Sequence, residues 1–162
     1  MRKLGYRYRQ IKELYEMYKT NPHQLFNPEM ATNLQNLRAE VEQLTENWMS
    51  VAHECLRLVS TRPNCVNVLV SNSQLIHTIS KLFVHRLSGF FEIKNVYSAA
   101  KIGKESCMER VISRFGKHTT YVSIGDGRDE ESASKQHQIP FWPIACHSDL
   151  LALHQTIQKE FM

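Results

Sequence analysis

Along the first 60 positions, apolar residues recur every three or four residues, which is the spacing of amphipathic helices rather than strands. One apolar face of a first helix is formed by Ile11, Leu14, Tyr15 and Tyr18. This helix is expected to end at Asn21-Pro22, because proline cannot continue a helix from within.

A second helix is expected to begin with Asn27 as its cap and Pro28 in its first turn. Its apolar residues are spaced alternately four and three apart, as in a coiled coil: Met30, Leu34, Leu37, Val41, Leu44, Trp48, Val51, Cys55 and Leu58. The spacing predicts one continuous seam of roughly thirty residues in a helical hairpin or bundle. Residues 1–61 are therefore predicted to form a helical segment.

From Arg62-Pro63 onward, short apolar runs alternate with helical stretches. The pattern predicts four strands, at 65–70, 95–98, 121–124 and 139–145. It also predicts three helices. The first spans residues 74–86 and is expected to stop at Gly89, the second runs through Val111 and Ile112 and is expected to stop at Gly116, and the third begins after a cap at Ser148. Because strands and helices alternate, residues 62–162 are predicted to be an α/β unit with a parallel sheet and helices on its faces.

Composition narrows the class of protein. The chain has 162 residues, 42% of them apolar, which suffices for one globular domain with an appendage. No apolar run is long enough for a transmembrane helix or a signal peptide, so we expect no membrane partner. The four cysteines form no CxxC pair, which is typical of reduced thiols in the cytosol or nucleus and does not indicate a zinc site.

The net charge of +4 is mild and comes mostly from the first helix. A basic helix face is more often solvated than bound to nucleic acid, and no basic-aromatic pattern of RNA-binding domains accompanies it. We therefore expect no direct nucleic-acid partner.

Polar side chains follow three of the predicted strands. Ser71-Asn72-Ser73 follows the first strand, Lys101 and Lys104 follow the second, and Asp126 follows the third, with Asp129, Glu130 and Glu131 behind it. The carboxyl ends of parallel strands share one edge of a sheet, so a hydroxyl, an ammonium and a carboxylate could converge there. Such a set suits phosphoryl transfer, in which donors hold the phosphate and carboxylates hold Mg²⁺.

Each of these residues also has a purely structural interpretation. Ser71 could cap the following helix, and Lys104 could be an exposed lysine of a first helical turn. Asp126 between two glycines could simply be a solvated turn. Only the shared location of the three loops favours a functional site.

Five strings carry a family resemblance: MRKLGYRYRQIKELY, RPNCVNVLV, NVYSAAKIGKES, IGDGRDEE and PFWPIACHSDLLALH. They cover the chain nearly from end to end and resemble the C-terminal conserved domain of the Eyes absent family. Members are transcriptional coactivators and Mg²⁺-dependent protein tyrosine phosphatases of the haloacid dehalogenase fold. The resemblance implies a doubly wound parallel sheet for residues 62–162 and part of a helical cap for residues 1–61.

The resemblance also implies roles for individual residues. Asp126 would be a metal ligand, and Glu130 would support it through the outer shell of the Mg²⁺ ion. Lys104 would neutralise charge on the phosphate and the nucleophile. Relatives carry a threonine-rich triplet as their phosphate-binding motif, where this chain has Ser71-Asn72-Ser73, so that Ser71 and Asn72 would contact the phosphate with a hydroxyl and an amide.

The chain departs from the family pattern at the nucleophile. These phosphatases use a DxD motif after their first strand, where one aspartate attacks phosphorus and the other moves the proton. The aspartates of this chain are Asp126, Asp129 and Asp149, and none forms a DxD. Met1 aligns within the helical cap of the family, so we expect a fragment or short isoform, inactive alone and lacking the first strand of the sheet.

Three functions remain open at this stage. The first is the C-terminal part of the phosphatase, acting on a phosphotyrosine protein substrate. The second is a non-catalytic module that docks homeodomain transcription factors of the sine oculis type. The third is an unrelated doubly wound ligand binder, since fold does not fix function. By resemblance, the protein is expected in the nucleus and the cytoplasm.

Overall fold

The structure, a computed structural model, describes residues 2–159, with side chains for residues 5–159. The described chain forms seven α-helices: α1 (Arg2–Tyr18), α2 (Pro28–Leu44), α3 (Trp48–Ser60), α4 (Leu75–Val84), α5 (Gly103–Phe115), α6 (Arg128–Gln136) and α7 (His147–Lys159). It also forms four strands: β1 (Leu69–Ser71), β2 (Val96–Ser98), β3 (Ser123–Gly125) and β4 (Phe141–Pro143). Short 3₁₀ turns lie at Pro22–Leu25, Ser88–Phe90 and Ile93–Asn95.

The predicted single seam from Met30 to Leu58 is wrong, because two helices cover it. Between them, Glu46 and Asn47 have φ angles of 54° and 64°, in the left-handed region that ends a right-handed helix. Asparagine tolerates this region better than most residues do. The predicted start of α2 is confirmed, since the Asn27 side chain accepts a hydrogen bond from the backbone N–H of Met30 at 2.8 Å.

The strands form two separate parallel pairs. β1 pairs with β2 in the register Leu69 to Val96, and β3 pairs with β4 in the register Ser123 to Phe141. Within residues 2–159 no ladder joins the two pairs. The predicted α/β class with parallel strands is confirmed, although each strand has only three residues.

Two predicted helix ends are wrong and one is confirmed. α4 ends before Arg86, which has a φ of 57°, so Gly89 lies beyond the helix in a 3₁₀ turn. α7 begins at His147, which places Ser148 inside its first turn rather than at the cap. Gly116 does end α5, with a φ of 91° that favours glycine.

The sequence pattern also missed α6, the helix between β3 and β4. Its residues are almost all polar, so it has no apolar stripe, and only Ala133 and Ser134 are buried. Acidic residues in its first turn and Lys135 in its last turn complement the helix dipole. The sequence therefore signals α6 only through the placement of its charges, which includes Glu131 and Lys135 one turn apart, where they form an ion pair.

Two apolar clusters connect the helices of the first 61 residues to the α/β unit. The first cluster consists of Tyr15, Ile79, Leu82, Phe83, Phe91, Ile93 and Val96. The second consists of Cys55, Leu150, Leu153 and Ile157. Thus α1 packs on the β1–β2 side and α3 packs along α7. No helix among the described residues is both long and apolar enough to cross a membrane.

Candidate functional site

The loop that follows β3 carries Asp126 between two glycines. β3 ends at Gly125, and Gly127 is the N-cap of α6, so Asp126 lies at a parallel strand's carboxyl end and a helix's amino end. Both positions favour ligands, and the helix end favours anions. The Asp126 side chain is exposed and lines an open cleft of about 590 Å³ together with Trp48, Ile144 and Ala145.

The Glu130 side chain closely approaches both glycines of this loop. A Cβ atom at Gly125 would lie 3.0 Å from Cγ of Glu130 and 3.5 Å from the Phe141 ring. A Cβ atom at Gly127 would overlap Oε2 of Glu130. Glu130 is therefore folded back from the first turn of α6 over the loop that holds Asp126.

Glu130 forms an ion pair with Lys104, which lies in the first turn of α5. The Lys104 side chain is 11% exposed and the Glu130 side chain 19% exposed, so water screens their charges less than it would at the surface. The pair connects α5 to α6 and fixes the ammonium beside the Asp126 loop. Lys101, the alternative lysine, is exposed in the turn before α5.

The Ser71-Asn72-Ser73 triplet begins at the end of β1. The Ser71 hydroxyl oxygen accepts a hydrogen bond from the Ser73 backbone N–H at 3.1 Å, and the Ser71 carbonyl accepts one from Ala99 N–H at 2.7 Å. Ser71 does not cap α4, whose N-cap is Gln74. Asn72 is exposed, and its side chain makes no hydrogen bond to another described residue.

The predicted site residues thus fall into two groups. Lys104 and Glu130 are in contact with each other, next to the loop of Asp126. Ser71 and Asn72 lie at the end of β1 beside the end of β2, where the Ala99 N–H donates to the Ser71 carbonyl and Ser98 Oγ donates to the Ser73 carbonyl at 2.8 Å. No hydrogen bond or ion pair between described residues joins the two groups.

The loop between β4 and α7 contributes features that the sequence did not predict. The Asp149 carboxylate accepts hydrogen bonds from the backbone N–H groups of Ala145 at 2.8 Å and Cys146 at 3.0 Å. These hydrogen bonds hold the pKa of Asp149 below its ordinary value. They also shape one wall of the cleft, where Trp48 packs on His147 with ring centroids 5.7 Å apart.

Comparison with known proteins assigns the chain to a family. No family model matches it. The chain is 51% identical over its whole length to human Protein phosphatase EYA3, of which it spans 28%, and 46% identical over its whole length to Drosophila melanogaster Protein phosphatase eya, of which it spans 21%. It is also 47% identical, over 119 residues or 74% of its length, to chicken (Gallus gallus) Protein phosphatase EYA3, all of which it covers. The chain therefore belongs to the Eyes absent family of protein phosphatases.

Proposed function

We propose that the chain is the C-terminal part of a Mg²⁺-dependent protein tyrosine phosphatase of the haloacid dehalogenase type, which is also a transcriptional coactivator. One observation carries the proposal. Lys104 is held by Glu130 beside the exposed carboxylate of Asp126, at the carboxyl end of a parallel strand. Relatives of the chain are named protein phosphatases, which supports phosphate as the ligand of this site.

The residues present fit a Mg²⁺ ion. Magnesium is usually bound by one or two carboxylates, with water and substrate phosphate completing its shell. Asp126 is exposed and makes no hydrogen bond or ion pair within the described chain, so it is available as a direct ligand. The Glu130 carboxylate is already engaged by Lys104, which suits a supporting role through bound water. When bound, the ion would offset the negative charge of the phosphate.

Lys104 would offset charge on the phosphoryl oxygens. Its ammonium has three donors, so it can keep Glu130 and still donate to a phosphate oxygen. Because the pair is largely shielded from water, the ammonium is held in place before substrate binds, and no reorganisation is needed during reaction.

Ser71 and Asn72 would hold the phosphate from the β1 side. The Ser71 hydroxyl already accepts from Ser73 N–H, so its own proton remains available for donation to a phosphate oxygen. The exposed amide of Asn72 can donate as well.

The nucleophile of this proposal is not among the residues of the chain. An aspartyl-phosphate mechanism needs a DxD at a strand end, and Asp126, Asp129 and Asp149 provide none. We propose that a further strand bearing this motif pairs between β1 and β3, which gives one doubly wound sheet with phosphotyrosine at its carboxyl edge.

The proposal is tested by hydrolysis of p-nitrophenyl phosphate and of a phosphotyrosine peptide with and without Mg²⁺. The protein assayed is this chain joined to an upstream segment that carries a DxD. Turnover is expected with Mg²⁺, and Asp126→Asn should abolish it, because an amide removes the ligating charge. Asp129→Asn, three residues along the same loop and helix, is the control. If Asp126→Asn kept its activity within about threefold of the parent, the activation free energy would have changed by under 1 kcal/mol. Asp126 would then be a turn residue without a catalytic role.

A second candidate function is a non-catalytic interaction module, favoured by α2. This helix contributes no buried residue to the described chain, and its exposed apolar side chains are Met30, Leu37, Val41 and Leu44. We propose a homeodomain transcription factor of the sine oculis type as the partner, acting in the nucleus and the cytoplasm. In a pull-down with the purified partner, Leu37→Glu should abolish capture, whereas Gln35→Glu on the same helix should not. Equal capture by both variants would exclude α2 as the docking surface.

A further inference from the structure

A group of side chains of the types that bind metals lies between α5 and the end of α6, separate from the Asp126 loop. Glu105 and Glu109 are one helical turn apart on α5, and His137 follows α6 as its C-cap. One oxygen from each carboxylate and one ring nitrogen of His137 all lie within 4.8 Å of one another. Two carboxylates and an imidazole thus converge from two helices that are packed together.

The three side chains are not satisfied by the protein itself. Nε2 of His137 is buried and has no hydrogen-bond partner. Within residues 5–159, neither Glu105 nor Glu109 forms a hydrogen bond or an ion pair. A buried polar atom without a partner is unfavourable, and like charges one turn apart on a helix repel each other. A cation bound by these groups would offset the repulsion between the carboxylates and give the imidazole a partner.

We propose that Glu105, Glu109 and His137 bind one divalent transition-metal ion, with Zn²⁺ as the best match, and that this ion fastens the end of α6 to α5. Imidazole combined with carboxylate suits zinc, whereas Mg²⁺ prefers oxygen ligands alone. Zinc holds nitrogen and oxygen ligands at about 2.0–2.2 Å, so the ligand atoms of a tetrahedral site lie well within the 4.8 Å limit that encloses these three atoms. Both glutamates are exposed, so their side chains can adjust to the ion without moving the helices.

The site differs in ligand chemistry and in residues from the Mg²⁺ site proposed above. Lys104 precedes Glu105 by one position, yet its ammonium contacts Glu130, at the opposite end of α6 from His137. The α5–α6 pair would therefore be joined at two places, by an ion pair beside the Asp126 loop and by a metal ion at the end of α6. Cysteine spacing does not signal such a site, because it contains no thiolate.

Direct metal binding tests this proposal without any assay of activity. The 162-residue chain, fused to a soluble carrier that binds no metal, is titrated with Zn²⁺ by calorimetry, and with Co²⁺ by visible absorption. We expect one ion per chain and a Co²⁺ spectrum without a thiolate charge-transfer band. His137→Gln and Glu109→Gln should each weaken Zn²⁺ binding by at least about tenfold, because substitutions of residues that only support the metal ligands already cost that much.

Two controls distinguish this site from the other candidate ligands of the chain. Glu131→Gln, on α6 but outside the cluster, and Asp126→Asn, in the loop of the proposed Mg²⁺ site, should both bind Zn²⁺ as the parent does. Circular dichroism shows whether each variant is folded. Glu105→Gln, at an exposed position, replaces any variant that does not fold. The proposal would be overturned if the chain bound no Zn²⁺, or if His137→Gln bound Zn²⁺ as well as the parent does. It would also be overturned if Asp126→Asn lost Zn²⁺ binding, or if the Co²⁺ spectrum showed a thiolate band that Cys146→Ser abolished.

Discussion

The two lysines near the second strand have different surroundings, which leads to a prediction for each. Lys104 is held by Glu130 and largely shielded from water, whereas Lys101 is exposed. In the chain joined to a DxD segment, Lys104→Ala should lower turnover of a phosphotyrosine peptide by about 100-fold or more, as loss of a preorganised charge typically does. Lys101→Ala should stay near the parent rate. A larger loss for Lys101→Ala would place the essential ammonium three residues earlier, in the turn before α5.

Gly127 offers a test of how Glu130 is positioned. The Gly127 backbone has a φ of −107°, which any residue adopts, so an alanine there would act through its methyl group rather than through backbone strain. That methyl group would displace the Glu130 carboxylate from Lys104. We expect the loss of unfolding free energy to be about 1.5–3 kcal/mol, the worth of a hydrogen bond between charged groups.

A double-mutant cycle isolates this effect. If Gly127→Ala already breaks the Lys104–Glu130 pair, Glu130→Gln should cost little more in the Gly127→Ala background. Gly5→Ala is the matched control, because its Cβ would meet nothing within 4 Å and should stabilise α1 by about 0.5–1 kcal/mol. Additive losses of unfolding free energy in the cycle would mean that Gly127 and Glu130 act independently.

At the residue scale, the sequence could single out candidate site residues but not their contacts. Asp126, Lys104 and Ser71 could be found because each follows a recognisable strand. The ion pair of Lys104 with Glu130 joins positions 26 residues apart, and no local pattern encodes it. The Asp149 hydrogen bonds with the β4–α7 loop were missed because Ser148 is an equally good capping residue by type.

At the scale of elements, α1 is fastened to the α/β unit by one buried side chain. Tyr15 is fully buried, and its hydroxyl donates to the carbonyl oxygens of Ser88 and Phe91, each at 2.9 Å. Burial raises the pKa of Tyr15 well above its ordinary value, so the hydroxyl keeps its proton at physiological pH. The ring also packs against Phe83, with centroids 5.4 Å apart.

Replacement of this hydroxyl should therefore destabilise the fold. Tyr15→Phe removes a donor that two carbonyl groups share, of which that of Ser88 still accepts from the Phe91 N–H at 3.4 Å. We expect the unfolding free energy to fall by about 1–3 kcal/mol in urea titrations. Tyr6→Phe on the same helix is the control, because Tyr6 is exposed and, among residues 5–159, its hydroxyl accepts a hydrogen bond from Gln10 alone. A change within about 0.5 kcal/mol is expected. Equal effects of the two substitutions would show that the 88–91 turn does not hold α1.

The elements differ in how well the apolar pattern predicted them. Helices with an apolar stripe, such as α4, were found because their burial follows the helical period. The seam of α2 and α3 continues across Glu46 and Asn47, so the pattern contains no sign of the left-handed turn that divides it. α6 was missed for the opposite reason, since it packs through small and polar residues and has no stripe.

At the scale of the whole molecule, the described strands leave open edges, two of which the further strand proposed between β1 and β3 would cover. Parallel strands are normally buried on both faces, yet Ile124 in β3 is 48% exposed and Val122 just before it is 60% exposed. Each of the four strands, β1 and β3 among them, is paired on one edge only within the described chain. Open edges and exposed apolar strand residues favour aggregation.

The 162-residue chain alone should therefore be poorly soluble and show no Mg²⁺-dependent phosphatase activity. A segment that carries a strand and a DxD, added in trans or as a fusion, should restore both properties, because the strand would cover both edges and its aspartate would supply the nucleophile. Light scattering and hydrolysis of a phosphotyrosine peptide are the measurements. The control is the same segment with both DxD aspartates changed to asparagine, which should restore solubility but not turnover. A soluble monomer of this chain that hydrolyses phosphotyrosine unaided, and loses that activity with a chelator, would contradict the proposed division of the active site.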